Sequence, residues 1–315
     1  MTRPDVAVIG GGAWGLALAG AAARTGGTTL LLSRRAHDGS LPPGVTLARD
    51  DAEIGRRARL VLLAVPSSAV RDVARSLGAH VDGRHFVVHG VRGLVGDAME
   101  TISDVVRDET PARRLGALGG PALALDLIAG RPSVMVCGSQ YPEVNRAVQA
   151  AFGGPQLRLY TTDDRLGLEW ASALVGCLAI AVGYARGAGL GPGLLAAFIT
   201  RAVEEAARLA AAAGGHERTL LGLAGYGDLL ASIEQTERPE VLLGEALAKG
   251  KSLPQALAEA KQRVEAVELA ARVVAWADER GVPAPLFGAL AHGILAGRAT
   301  GTMVHELMTA APVAP

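Results

Sequence analysis

An α/β domain built on a parallel sheet, followed by an all-helical domain, is the fold that this 315-residue sequence predicts, and three observations predict it. Short β-branched or leucine runs recur through the first half, separated by Ala/Arg/Leu-rich segments of helical period. That alternation is the pattern of parallel strands joined by right-handed crossovers. Beyond about residue 160 the strand signal stops and long alanine-rich helical stretches replace it. A cluster of glycines directly after the first apolar run is the third observation, because strand, glycine turn and helix in succession open a βαβ unit. Two domains are expected, 1–160 and 161–315.

The strands are expected at Val6–Ile9, Thr28–Leu32, Leu60–Val65, His85–Val88, Arg114–Leu118 and Ser133–Cys137, each apolar almost throughout, as a strand covered on both faces must be. Trp14–Thr25, Ser68–Leu77 and Gly96–Arg107 read as the helices between them. In the second domain helices are expected at Arg165–Ala185, Gly193–Ala213, Thr219–Ser232, Glu240–Ala248 and Val264–Arg280. The last has a stop signal in Gly281, with Pro283 and Pro285 just beyond. The stretch Gly39–Gly44 reads as a surface loop.

Composition limits what such a protein can do. Lys+Arg 31 balance Asp+Glu 31, so there is no global field to draw nucleic acid or an anionic membrane, and neither is expected as a partner. Aromatic residues are only 3%, so the core has to be built from Ala, Val, Leu and Ile. Cys137 and Cys177 stand in apolar runs without CxxC spacing, which reads as buried thiols in a reducing cytoplasm. His216, His292 and His305 lack paired spacing, so no metal is expected. Val6–Ile9 is too short for a signal-peptide core, and the apolar run 171–182 falls short of the roughly 20 residues that cross a bilayer.

The strongest local signal is Gly10-Gly11-Gly12-Ala13-Trp14-Gly15, a G-x-G-x-x-G between a strand and a helix. Gly10 permits the turn, Gly12 lets backbone approach a pyrophosphate, Gly15 lets helix and strand pack closely, and the helix N-terminus faces the anion. This is a Rossmann-type dinucleotide site. About twenty residues on, where NAD enzymes place an acidic residue for the ribose, the chain has Ser33-Arg34-Arg35. A hydroxyl and two guanidinium groups suit a 2′-phosphate, so NADP is favoured over NAD; the alternative is a solvated strand end.

These residues carry a family resemblance. The glycine loop with Trp14-Gly15 and Leu16-Ala17-Leu18-Ala19 resembles the start of the bacterial NAD(P)-dependent glycerol-3-phosphate dehydrogenases. Val65-Pro66-Ser67, Gly120-Pro121, Gly130-Arg131-Pro132-Ser133, Ile199-Thr200-Arg201, Leu223-Ala224-Gly225-Tyr226-Gly227-Asp228-Leu229 and Val264-Glu265 follow in the family's order, so the resemblance spans nearly the whole chain. It implies a Rossmann domain and a helical domain of the 6-phosphogluconate dehydrogenase C-terminal type, and a homodimer. The glycine motif, the Ser33-Arg34-Arg35 run and the resemblance together give as cofactor contacts Gly10, Gly12, Ala13, Trp14, Gly15, Ser33, Arg34, Arg35, Pro66 and Glu265, and place a small-molecule substrate at Arg92, Thr200, Arg201 and Asp228.

The resemblance breaks where the family does its chemistry. The general acid/base lysine that begins a Lys-Asn step falls, by spacing to Gly189-Leu190-Gly191, on Val175, with Gly176 in place of the asparagine. A second lysine falls on Arg92, in Val91-Arg92-Gly93. Valine donates nothing, and arginine is a poor proton exchanger at neutral pH. Lysine occurs only at Lys249, Lys251 and Lys261. The Arg-Asn-Arg phosphate clamp falls on Pro239, Glu240 and Val241, and Glu240 repels a phosphate, with Arg238 one residue away.

Arg92 and Asp228 are therefore the candidate catalytic groups, Asp228 being alternatively a helix cap, and His89 is a further donor close in sequence or a structural histidine. Three functions remain open. The chain is an NAD(P)-dependent oxidoreductase that interconverts glycerol 3-phosphate and dihydroxyacetone phosphate with a divergent site, a reductase of a non-phosphorylated substrate, or an inactive dinucleotide-binding homologue acting as a sensor or interaction protein.

Overall fold

Four consecutive apolar residues, Val6–Ile9, cannot present one face to water, so the strand they form has to lie inside a sheet covered on both sides. In the computed structural model, which describes residues 5–37, 41–235, 237–260 and 264–297, Val6 and Val8 enter one core cluster while Ala7 and Ile9 enter the other. Leu60 and Leu62 divide from Val61 and Leu63 in the same way, as the two-residue period of a strand requires.

The elements of the first unit are β1 (Val6–Ile9), α1 (Ala13–Ala23), β2 (Thr29–Leu32), β3 (Val45–Leu47), α2 (Asp51–Arg57), β4 (Leu60–Leu63), α3 (Val70–Gly78), β5 (Phe86–His89), α4 (Ile102–Glu109), β6 (Arg114–Gly119), α5 (Ala124–Ala129), β7 (Ser133–Gly138), α6 (Pro142–Phe152) and β8 (Leu157–Thr162). They make one eight-stranded sheet in the order β3-β2-β1-β4-β5-β6-β7-β8. The reversal of order falls at β1, where β2 lies on one side and β4 on the other, so the glycine turn after β1 opens at the switch point where such sheets bind ligands.

The fold class is the expected one, with two differences in detail. β6 and β7 pair antiparallel, so the sheet is not wholly parallel. The direction of a fully buried strand leaves no trace in its apolar run. β3 and β8 were not foreseen: β3 is three residues with only Val45 buried, and β8 alternates buried Leu157 and Leu159 with exposed Arg158 and Tyr160. The expected loop Gly39–Gly44 runs into β3, and its first two residues lie outside the described ones.

The second unit holds α8 (Pro192–Ala212), α9 (Glu217–Leu221), α10 (Asp228–Ile233), α11 (Pro239–Ala248), α12 (Leu253–Ala260), α13 (Ala266–Glu279) and α14 (Pro285–Gly288); no strand occurs there among the described residues. α7 (Arg165–Gly187) begins in the first unit and ends in the second, since the compact units are 1–96 with 100–169 and 97–99 with 170–315. α7 is 23 residues long and passes the length and composition test for a membrane span, and 94% of its most apolar window is buried inside the protein. It is a core helix, within two residues of the Arg165–Ala185 expected for it. Gly281 has φ of 65°, a left-handed conformation that ends α13 as its sequence indicated.

Candidate functional site

The loop between β1 and α1 is built by glycines that admit nothing larger. Gly10 has φ of 126°, and a Cβ there would stand 2.2 Å from the Ala64 carbonyl oxygen. A Cβ on Gly15 would stand 1.8 Å from the Gly10 oxygen, so any side chain there forces helix and strand apart. Gly12 differs: it occupies the N-cap of α1 in an extended conformation, and no atom lies within 4 Å of its Cβ position. No side chain caps this helix and no acidic residue sits in its first turn, so its N–H groups and positive end are left for an anion. Trp14 reaches across to the turn after β5, where a Cβ on Gly90 would meet its Nε1 at 2.6 Å. Pro66 precedes a short 3-10 turn at Ser67–Ala69 after β4.

At the end of β2 the Ser33 hydroxyl accepts from the Arg35 N–H at 3.0 Å and donates to the Arg35 carbonyl at 3.1 Å, curling the chain back. Arg34 and Arg35 are exposed. Ser33 Oγ lies 2.0 Å, and His37 Nε2 2.7 Å, from the point where a Cβ on Gly11 would sit. The open space at Gly12 and the polar edge formed by Ser33 fit a dinucleotide laid from the glycine loop toward β2. Gly10 and Gly15 are packed against each other, and Ser33 lies beside Gly11 together with His37, which was not read from the sequence.

After β5 the chain turns through Gly90-Val91-Arg92-Gly93, with φ of 110° at Gly93 and Arg92 partly buried. His89 is not an open donor. It is 3% exposed, with Nε2 at 2.9 Å from Glu169 Oε1, and its Nδ1 accepts from the Val91 N–H at 3.4 Å. Glu169 also accepts from the Ser103 N–H at 2.9 Å and pairs with Arg165. Burial alone would raise the Glu169 pKa, but His89, Arg165 and the Ser103 amide outweigh it and hold the carboxyl below the ordinary range. A glutamate and an arginine four residues apart at the start of an apolar helix were the signal in the sequence.

In the second unit Val175, the expected lysine position, is 1% exposed. A Cβ on its neighbour Gly176 would stand 3.1 Å from the Ala266 Cβ and 3.8 Å from Glu240 Oε1. Glu240, in the first turn of α11, is paired with Arg238, whose Nε lies 2.7 Å from Oε2. Arg238, one residue before the expected phosphate clamp in sequence, is thus tied to Glu240, which lies within it. Glu265, partly buried, leads into α13. Cys177 follows on α7, and burial pushes its thiol up to about 12, as it does for Cys137.

Asp228 is 1% exposed and is the first residue of α10, while Gly227 takes the N-cap position before it. A π-helical turn, Leu223–Gly227, leads directly into it, and such turns are frequent at functional sites. Ser232 Oγ approaches Asp228 Oδ1 at 3.5 Å. Thr200 is exposed and its hydroxyl donates to the Ala196 carbonyl at 3.0 Å, a bond within its own helix. Arg201 lies on the same helix one turn before the buried Glu205, whose ionised form it favours. Among the described residues no group of three or more His, Cys, Asp or Glu side chains converges as a metal site. Lys261 and His305 lie outside the described residues.

A sheet whose switch point carries this glycine loop, followed by a helical unit, defines a two-domain dinucleotide-binding architecture of the dehydrogenase type. Residues 33–145 match the family model of the NAD-dependent glycerol-3-phosphate dehydrogenase N-terminus, and residues 164–305 that of its C-terminus. The chain is 36% identical over 296 residues to glycerol-3-phosphate dehydrogenase (NAD(P)+) of Gluconobacter oxydans, covering 90% of each chain. To the protein of the same name from Azotobacter vinelandii it is 31% identical, covering 99% of this chain and 96% of that one. The crystal structure of glycerol-3-phosphate dehydrogenase from Coxiella burnetii superposes with a TM-score of 0.88 at 27% identity, covering 98% of this chain and 99% of that chain. The chain belongs to the NAD-dependent glycerol-3-phosphate dehydrogenase family.

Proposed function

We propose that this protein is an NAD(P)-dependent oxidoreductase acting on a CH–OH group or the corresponding carbonyl, with NADP preferred, and that its proton-transfer and phosphate-binding groups differ from those its relatives use. The observation that carries the reading is the glycine loop. Gly10 and Gly15 admit no Cβ, Gly12 faces open space, and the α1 N-terminus has no cap of its own. Bound there, the dinucleotide supplies hydride transfer to or from the substrate carbon. The protein's share is to hold the pyrophosphate on the α1 amides and the 2′-phosphate near Ser33, Arg34 and Arg35, with Pro66 and Glu265 as further contacts.

Dihydroxyacetone phosphate or a related carbonyl is the substrate that the relatives' names support. Arg92 would hold its anionic or carbonyl oxygen, with Thr200, Arg201 and Asp228 as the other substrate contacts. Asp228, a buried carboxylate after a π turn, is our candidate to hold a substrate hydroxyl or to move a proton. The absence of a lysine at Val175 is part of this proposal. A second reading, a non-phosphorylated substrate or no catalysis at all, is favoured by the Arg238–Glu240 pair, which neutralises the nearest arginine to the expected clamp. We further propose a homodimer in the cytoplasm; the two free, buried thiols fit a reducing compartment.

The test is direct. Purified protein is titrated with NADPH and NADH by nicotinamide fluorescence, then assayed for NADPH oxidation with dihydroxyacetone phosphate and with a panel of other carbonyls. Binding with turnover of dihydroxyacetone phosphate supports the first reading. Binding with turnover only of other carbonyls supports a changed substrate, and binding without any turnover supports a sensor. No binding refutes the proposal.

A further inference from the structure

His37 stands five residues past β2 and was not among the residues read as cofactor contacts. Its Nε2 is shielded from solvent and has no hydrogen-bond partner within the protein, and it lies over Gly11, 2.7 Å from where a Cβ would be. Ser33 Oγ shares that spot at 2.0 Å. A ring nitrogen kept from water without a partner is a cost the fold leaves standing, so the missing partner is best supplied from outside the chain. Gly11 is the backbone over which a dinucleotide runs from the α1 N-terminus to the end of β2, and the group that reaches Ser33 there is the 2′ substituent of the adenosine ribose. Arg34 and Arg35 next to it are exposed and make any anion at this corner more favourable, but their flexible stems do not by themselves fix its position.

We propose that His37 is a specificity-determining contact for the 2′-phosphate of NADP(H), its Nε2 pairing with a phosphate oxygen beside the Ser33 hydroxyl; this rests on the dinucleotide reading of the glycine loop. His37 then distinguishes NADPH from NADH, because the NADH ribose offers only a neutral hydroxyl at that point and the charge-assisted bond is lost.

The experiment compares wild type with His37→Gln and His37→Ala in the full-length protein. Dissociation constants for NADPH and NADH are measured by nicotinamide fluorescence, and adenosine 2′-monophosphate and adenosine 5′-monophosphate are used as competitors, with thermal unfolding as a check on folding. His37→Ala is expected to weaken NADPH and adenosine 2′-monophosphate by about tenfold, as loss of one charge-assisted bond implies, while NADH changes less than about twofold. His37→Gln, which keeps a donor, is expected to fall between. A wild type that favours NADPH, with the same NADPH/NADH ratio in both variants, overturns the role of His37 alone. Equal affinities for the two cofactors in wild type overturn the 2′-phosphate reading of this corner, and no binding of either overturns the dinucleotide reading itself. Equal weakening of both cofactors assigns His37 to loop structure and also overturns the proposal.

Discussion

His89 Nε2 lies 2.9 Å from Glu169 Oε1, and that bond ties the end of β5 to the first turns of α7 inside the first unit. Both groups are buried, at 3% and 1% side-chain exposure, and Arg165 completes the cluster. Removing one partner of such a set strands the others in a low-dielectric interior. Glu169→Ala is expected to destabilise the protein by about 3–5 kcal/mol in urea unfolding. The pH dependence has a defined sign. The folded carboxyl titrates below its ordinary value of 4.5, so its stabilisation is complete above that value and is lost as pH falls toward the folded pKa. Glu169→Gln should therefore flatten the acid limb of stability against pH, and an unchanged limb would show that the pair contributes nothing to it.

Gly12 and Gly15 stand three residues apart in one motif and should respond in opposite ways to alanine. At Gly12 a methyl group enters open space, so Gly12→Ala should leave stability within about 0.5 kcal/mol. It should nevertheless weaken NADPH by about tenfold or more, because the methyl group fills the approach to the pyrophosphate. Gly15→Ala meets the Gly10 oxygen and should cost about 1–3 kcal/mol or more in stability. Thermal unfolding and fluorescence titration of the two variants side by side decide this.

Glu205 is buried on α8, and its two carboxylate oxygens accept from the Leu286 and Phe287 N–H groups at the start of α14, at 3.1 and 2.8 Å. Burial raises its pKa above the ordinary value, more than the two amides and Arg208 and Arg201 lower it. The folded state therefore holds this proton longer than the unfolded chain does. Stability from this group is full below pH 4.5 and declines as pH rises through the raised pKa. Glu205→Gln should remove that decline, whereas Glu205→Ala should unfold more readily at every pH, by about 1–3 kcal/mol for the amides left without an acceptor.

The Val175→Lys, Gly176→Asn pair installs the two residues that the family resemblance leads one to expect there, at a position where Val175 is 1% exposed. An ammonium placed there should cost at least about 2 kcal/mol unless it finds Glu240. The pair alone is expected to leave turnover of dihydroxyacetone phosphate at or below the wild-type level, since Arg238 stays bound to Glu240. Adding Glu240→Asn releases the arginine, and a rise in dihydroxyacetone phosphate turnover above the wild-type level that first appears in the triple variant is the expected result. Turnover above that level by the double variant would show that the phosphate-binding groups were never lost.

Cys137 and Cys177 are both free and both pushed up to about 12 by burial, so neither carries thiolate at neutral pH. Native protein should give no reaction with a disulfide reagent, and both thiols should react once the chain is unfolded. Rapid labelling of either in the native state would contradict the burial described for α7 or β7.

Much of the fold was legible because burial on both faces dictates apolar runs, and Val6–Ile9, Leu60–Leu63 and Arg114–Gly119 stand close to where the pattern put them. Thr219–Ser232 read as one helix because its period hardly changes, yet it is divided into α9, a π turn and α10. One extra residue in a turn shifts the register without altering which residues are apolar. His89 read as a possible donor because its neighbour in sequence is the Arg92 loop; its partner Glu169 is eighty positions away and no local pattern links them.

The sequence by itself determined the glycine loop, the alternation of strand and helix, and the shortage of lysine, since each depends on residue type and spacing along the chain. Tertiary structure decided which of those residues are available. It enclosed His89 with Glu169, tied Arg238 to Glu240 and left Gly12 facing open space, and it brought His37 over Gly11. The reason is physical: conformational needs of a glycine are local, whereas burial and ion pairing depend on groups that meet only once distant segments have packed.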